Sequence, residues 1–283
     1  MKEKSLINEL NDLSKQLKEF RTKVITELIT EGVDDPGILK CVFMAGGPGS
    51  GKSYIANEIF GVGKKTISSV SAGGLKLVNS DTAFESALKK NGINPGELAK
   101  IEKTNKELWT KIAGEDGDSI RNQAKKITQQ QQSFYEMGRL GMIIDGTGDD
   151  FNKIKKKKEH AESLGYDCYM IFVNTSLQVA QERNALRSRK LPKTLVSQIW
   201  KACQHNLGSF QSLFKGNFVI VDNTEYKKYQ ALVKDKKNGV EEYVDTNISQ
   251  DIQKAVDSFL RKPIQNPIGK RWVEQARLLK KLK

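Results

Sequence analysis

A chain of 283 residues can bury one large core without covalent staples, and its three cysteines, an odd set with no C-x-x-C spacing, exclude a disulfide framework or a cysteine-built zinc site. Lys and Arg number 47 against 34 Asp and Glu, a formal net charge of +13; such an excess either meets polyanions, nucleic acid among them, or is a lysine-rich solvated surface. The polar N-terminus lacks the apolar stretch of a signal peptide and no apolar run is long enough to span a bilayer, so a soluble cytoplasmic protein without membrane contact is expected.

Residues 1–30 read as one amphipathic helix. Leu6, Leu10, Leu13, Leu17, Phe20, Val24 and Leu28 recur at steps of four and three with Lys and Glu between them. That seam either packs on the body of the chain or pairs with a partner helix or a second copy. Asp34–Asp35–Pro36–Gly37 then breaks the helix. The expected organisation is an N-terminal extension at 1–37, a main domain at 38–262 with its core at 38–225, and a basic tail at 263–283.

An apolar run at 40–45 leads directly into Gly46, Gly47, Pro48, Gly49, Ser50, Gly51, Lys52 and Ser53, a complete G-x-x-x-x-G-K-[ST] (Walker A) pattern, and then into a helix-compatible stretch. Glycines let main-chain N–H groups turn inward around a phosphate, and a helix N-terminus adds its positive dipole end. Lys52 is expected on the β- and γ-phosphates and the Ser53 hydroxyl on Mg²⁺. This strand–loop–helix context predicts an ATP–Mg²⁺ site.

Further apolar runs at 75–79, 141–145, 168–173 and 217–222 alternate with helical patterns. The long connections predict an α/β fold: a P-loop NTPase-type, five-stranded parallel sheet with helices on both faces. Between the second and third strands, Ile120, Ala124, Ile127, Phe134 and Tyr135 suggest helices walling the substrate. Cys41 and Cys168 lie in strand-like runs and read as core. Beyond residue 224 a small hairpin around Lys237–Asn238–Gly239 and a helix over 248–260 are expected, and the basic tail reads as solvated by default. His160 and His205 sit in no block with catalytic spacing.

Three blocks narrow the chemistry. Val78–Asn79–Ser80–Asp81–Thr82 ends the second strand, where a residue faces the ligand crevice of a parallel sheet. Asp81 is either a base that accepts a proton from an attacking hydroxyl or a helix N-cap. Ile143–Ile144–Asp145–Gly146–Thr147–Gly148 ends the third strand; Asp145 either works through Mg²⁺ or, with Thr147, holds the acceptor. Arg183, Arg187 and Arg189 can converge on a phosphate chain from a short lid. Lys153 and Lys155–Lys158 supply charge near a polyanionic acceptor or form a solvated helix face.

In this order the blocks resemble the zeta-toxin and polynucleotide-kinase group of P-loop kinases, the zeta-toxin side more closely. The matching stretches are GGPGSGKS, N-S-D-T at Asp81, I-I-D-G-T-G at Asp145, and E-R through R-S-R-K-L-P-K at Lys193, then Asn206–Leu207, together covering about residues 38–225. The resemblance implies that Lys52 and Ser53 bind triphosphate and metal, that Asp81 activates a hydroxyl acceptor, and that Arg183 with Arg189 or Arg187 clamps the γ-phosphate. The substrate-contacting arginine usual after the G-T-G of zeta-type kinases is replaced by Asp149, and the arginine usual in polynucleotide kinases three residues after the base is replaced by Phe84. No counterpart of the polynucleotide kinases' phosphatase domain is present. The expected activity is transfer of the ATP γ-phosphate to a hydroxyl, on nucleic acid or on a nucleotide sugar. The alternative is a nucleotide-binding interaction module with little catalysis.

Overall fold

A computed structural model describes residues 32–61, 74–115, 117–187, 189–225, 229–234, 241–246 and 248–281. The expected helix over 1–30, Ser188 and the turn at Lys237–Asn238–Gly239 lie outside the described residues. Five parallel strands, β1 (Lys40–Ala45), β2 (Lys76–Val78), β3 (Met142–Asp145), β4 (Asp167–Asn174) and β5 (Phe218–Asp222), form one sheet in the order β2-β3-β1-β4-β5. Every residue of β1 is buried, as expected for a central strand covered on both faces. Cys41 pairs in register with Cys168 across β1 and β4, and both thiols are free and buried, which bears out their reading as core residues.

Helices cover both faces. On one side α1 (Lys52–Phe60) and α9 (Gln250–Arg261) bury Ile55, Phe60, Val256 and Phe259 against Val42, Met44 and Ile171. On the other, α5 (Ile120–Met137), α6 (Phe151–Ser163) and α8 (Lys193–Phe214) bring Tyr135, Ile154, Phe210 and Phe214 onto Phe43, Ile144 and Phe172. α7 (Leu177–Leu186) follows β4 and backs the phosphate loop. The connection between β2 and β3 is helical, as expected: α2 (Ser80–Lys90), a 3₁₀ turn at Pro95–Glu97, α3 (Leu98–Thr104), α4 (Lys106–Ala113) and α5. It has its own small core of Phe84, Leu88, Leu98, Ile112 and Ala124. Asn79, Asn94, Asn105 and Ser119 each accept a main-chain N–H at a helix start, which sets where these short helices begin. Two strands, β6 (Tyr229–Lys234) and β7 (Glu241–Thr246), pair antiparallel where the small hairpin is expected.

The C-terminal basic segment, read from sequence as a solvated tail, forms a helix, α10 (Pro267–Lys281), and is docked. The Asp167 carboxylate accepts the main-chain N–H groups of Gln265 and Asn266 and pairs with the buried Lys40 ammonium at 3.1 Å. Gly165 and Gly269 meet backbone to backbone: a Cβ on Gly269 would lie 2.2 Å from the Gly165 carbonyl. Trp272 and Val273 pack on the core, and Asp34 pairs with Arg277 at 2.8 Å and Lys280 at 3.3 Å. Spacing hid this because α10 exposes most of its surface and is held at three points.

Candidate active site

The carboxyl ends of β1, β2 and β3 open into a cavity of about 740 Å³. The phosphate loop forms its floor between β1 and α1. Gly46, Gly49 and Gly51 adopt φ of 150°, 80° and 86°. A Cβ on Gly49 would lie 2.2 Å from the Ala180 carbonyl of α7, so glycine is required there for close approach as well as conformation. Gly51 begins α1 without any side-chain cap, which leaves the helix's first N–H groups directed at the cavity. Asn223, just past β5, donates to the Ser50 carbonyl at 2.7 Å and braces the loop from below. Trp200 of α8 packs at Gly47 and donates its indole N–H to Thr175 at 2.8 Å. The Lys52 ammonium donates to the Gly46 carbonyl at 2.6 Å, across the mouth of the loop, and Ser53 is exposed on the cavity wall.

Asp145 and Asp81 stand on neighbouring strand ends. Asp145 ends β3, and its Oδ2 accepts the Asn79 side-chain N–H at 2.9 Å, while Oδ1 is buried without a hydrogen-bond partner. Burial pushes the Asp145 carboxyl above the usual carboxylate range and the Asp81 charge pushes the same way, against the opposing pull of Lys52. The Asn79 Oδ1 accepts the Asp81 main-chain N–H at 2.8 Å, so Asn79 caps α2 and steers Asp145 at once. The capping role held open for Asp81 thus falls to Asn79, which leaves the Asp81 carboxylate half-exposed in the cavity.

Two arginines hold that carboxylate. Arg189 of the lid donates to Asp81 Oδ1 at 3.3 Å, and Arg121 of α5 stands 3.7 Å from the same oxygen. Both guanidinium groups lie against the Phe84 ring, at 5.0 Å for Arg121 and 5.8 Å for Arg189. Position 84, where the resembled kinases carry an arginine, is therefore an aromatic shelf for two arginines from elsewhere in the chain. Sequence reading missed Arg121, because the α5 segment offers no motif and only the fold brings it to Asp81.

The lid is closed on itself by Asn184, buried in α7, which donates to the Leu191 carbonyl at 2.8 Å and accepts the Leu191 N–H at 3.1 Å. This clasp presents Arg187 and Arg189 to the cavity beside Arg183, whose Nη1 is buried without a partner 3.8 Å from where a Gly51 Cβ would stand. The cavity thus brings together Lys52, Ser53, Asp81, Asp145, Arg183, Arg187 and Arg189. Thr147 also lines it, but its hydroxyl is engaged by Asp149 and its carbonyl accepts the Gly46 N–H at 2.9 Å. Asn206 of α8 donates to the carbonyls of Gly148 and Asp149, which fixes the turn after β3. Burial, then the Asp149 charge, pushes the Cys203 thiol up to about 12, so it is no nucleophile. His160 meets Glu136 away from the cavity.

The residues fit a nucleotide with its metal. A Cβ at Gly46, Gly49 or Gly51 would collide with Val173, Ala180 or Asn223 behind the loop, so glycine at all three keeps the cradle in shape. The unpartnered Asp145 oxygen and the Ser53 hydroxyl, on residues lining the same cavity, are hard donors suited to Mg²⁺. Among the described residues no group of three or more His, Cys, Asp and Glu forms a self-sufficient metal cage. Nor is any described helix long and apolar enough to cross a membrane.

Solved structures align with the chain at low identity and with TM-scores below 0.5. AvrRxo1-ORF1:-ORF2 with ATP aligns over 87% of this chain and 73% of its own at 12% identity and a TM-score of 0.42. The PezAT chromosomal toxin–antitoxin system of Streptococcus pneumoniae aligns over 94% and 97% at 12% identity, also at 0.42. A gluconokinase from Sinorhizobium meliloti 1021 aligns over 86% and 98% at 15% identity and 0.39. No curated protein matches the chain in sequence. A family model described as an AAA domain (AAA_33) matches residues 41–209, more than half of the chain and all of the cavity described above apart from the Asn223 brace. With its P-loop kinase-like sheet, the chain belongs to that family.

Proposed function

We propose that the protein is an ATP-dependent kinase that transfers the γ-phosphate to an acceptor hydroxyl. The observation that carries this reading is the meeting of Asp81 with the lid over the phosphate loop: a half-exposed carboxylate, bonded to Arg189 at 3.3 Å, in the cavity that Lys52 lines. The loop amides and Lys52 hold the triphosphate. Asp81 accepts the acceptor's proton as its oxygen bonds to the γ-phosphorus and the bond to the β-phosphate oxygen breaks, releasing ADP. Arg183, Arg187 and Arg189 neutralise the charge on the transferred group. Since Arg189 also bonds Asp81, the incoming γ-phosphate draws that arginine away and leaves the carboxylate to the acceptor. Ser53 and Asp145 would hold Mg²⁺, which supplies positive charge on the phosphate oxygens when bound. Arg121 orients Asp81 through their ion pair.

Nucleic acid and a nucleotide sugar are the acceptor classes to test first. The net charge of +13 favours the former, and the D-G-T-G turn after β3 carries the zeta-toxin resemblance. The test is transfer of label from γ-labelled ATP to DNA, RNA, nucleotide sugars and small alcohols, with Asp81→Asn alongside. Labelling by the wild type that is lost in Asp81→Asn, with a non-hydrolysable ATP analogue still bound, supports the kinase. If ATP binds and nothing is labelled, the chain is a nucleotide-binding interaction module.

A further inference from the structure

The lysine-rich run of α6 is sorted by the fold into two faces. Lys155 pairs with Glu159 at 3.8 Å and Lys158 with Glu162 at 2.5 Å, each one turn along the same helix, and Lys158 also lies over the Phe214 ring. Lys156 is exposed. Lys153 and Lys157 instead line the cavity, and among the described residues no hydrogen bond or ion pair engages either ammonium. Lys157 is half-buried and Lys153 exposed; burial and then the neighbouring Lys153 charge hold the Lys157 ammonium below the usual lysine range, against the opposing pull of Asp145. A half-buried ammonium beside a second like charge favours an anion that bridges the two.

The triphosphate does not account for these two. Its cations are Lys52 from α1 and the three arginines of α7 and the lid, which follow β4. α6 follows β3, and β1 with its phosphate loop lies between β3 and β4. The α6 pair therefore flanks the loop from the strand that carries Asp145, next to the strand that leads to Asp81. Four residues separate the two lysines, about 6 Å along the axis, a span that suits a single phosphate group. The cavity volume of about 740 Å³ lies within the range of small-ligand pockets.

We infer that Lys153 and Lys157 form an anion subsite on the acceptor side of the cavity, so that the acceptor is a small phosphorylated alcohol. Its phosphate sits between the two ammonium groups and stays unreacted, while a hydroxyl of the same molecule is presented to Asp81. This rests on the kinase reading above. The turn from Gly146 to Asp149, pinned by Asn206, sets the start of α6 and hence the position of the lysine pair.

The test is a phosphorus NMR titration of the full chain, saturated first with AMP-PNP and Mg²⁺, using inorganic phosphate and glycerol 3-phosphate as probes and glycerol as a neutral competitor against them. Both anions should bind and glycerol should displace neither. The double variant Lys153→Gln/Lys157→Gln should weaken anion binding by about tenfold or more, as for loss of a charge-assisted contact, with AMP-PNP affinity unchanged. Lys157→Met, which removes only the half-buried charge, should do most of this. Lys155→Gln/Lys156→Gln should bind like the wild type. Undiminished binding in the double variant, or equal loss in the Lys155/Lys156 pair, overturns the subsite. So does a 5′-phosphorylated single-stranded hexanucleotide that displaces inorganic phosphate where glycerol 3-phosphate fails, since the acceptor is then a strand. Failure of the wild type to bind AMP-PNP overturns the kinase reading itself, a result separate from loss of the anion alone.

Discussion

Replacing Gly49 by alanine tests the phosphate loop with one methyl group. The new Cβ would stand 2.2 Å from the Ala180 carbonyl oxygen and 2.9 Å from its carbon, and both belong to the α7 backbone, which has no rotamer to change. The position also holds φ at 80°, left-handed territory that costs an L-residue about 1–2 kcal/mol. Overpacking adds about 1–3 kcal/mol, so the sum spans about 2–5 kcal/mol, and ~3 kcal/mol serves as a working value. For a chain of this size that is a fall in Tm of about 6–12 °C. If the loop instead shifts to admit the methyl, the same free energy appears as about a hundredfold loss of AMP-PNP affinity. The control is Gly208→Ala in α8, where nothing lies within 4 Å of the new Cβ and removing a helical glycine should stabilise by about 0.5–1 kcal/mol. Melting curves and nucleotide titrations of both variants decide it. A Gly49→Ala protein with wild-type Tm and wild-type AMP-PNP affinity would refute the close approach of loop and α7.

Three further outcomes are expected. Asp145→Asn should stabilise the nucleotide-free, metal-free protein near neutral pH while impairing transfer. The raised carboxyl makes the native state hold its proton more tightly than the unfolded chain, so wild-type stability falls as pH rises from about 4 through the native value. The Tm difference between variant and wild type should widen over that window and then level off; a constant difference would contradict it. Asn184→Ala removes both bonds to Leu191, each worth about 1 kcal/mol, and should make the lid sensitive to limited proteolysis near residues 187–192; unchanged cleavage would discount the clasp. Arg121→Ala should lower kcat more than it raises the KM for ATP, because it touches Asp81 and not the loop, with partial rescue in Arg121→Lys; a change in ATP KM alone would move Arg121 to the nucleotide.

The phosphate loop of the candidate site was legible in the chain because its pattern is local. A phosphate loop needs its glycines, lysine and serine within eight consecutive positions, and apolar runs of strand length marked β1 and β3 to within a residue or two. Asp81, Asp145 and the lid arginines were legible because parallel strands deliver their carboxyl ends to one crevice. Arg121, Asn184 and Asn223 were not, since each acts through a contact made only in the fold: Arg121 with Asp81, Asn184 with Leu191, Asn223 with Ser50. The two faces of α6 were likewise invisible in a run of consecutive lysines. The docking of α10 depends on the half-buried Asp167 and on two glycines meeting backbone to backbone, neither of which leaves a periodic trace.

The most direct measurement compares γ-phosphate transfer by the wild type and Asp81→Asn on the same acceptor, with AMP-PNP affinity measured in parallel. If Asp81 takes the proton, the variant binds nucleotide normally and its transfer rate falls by about 10²–10⁴-fold. An Asp81→Asn protein that phosphorylates the acceptor at the wild-type rate would show that the carboxylate beside Arg189 has no part in the chemistry.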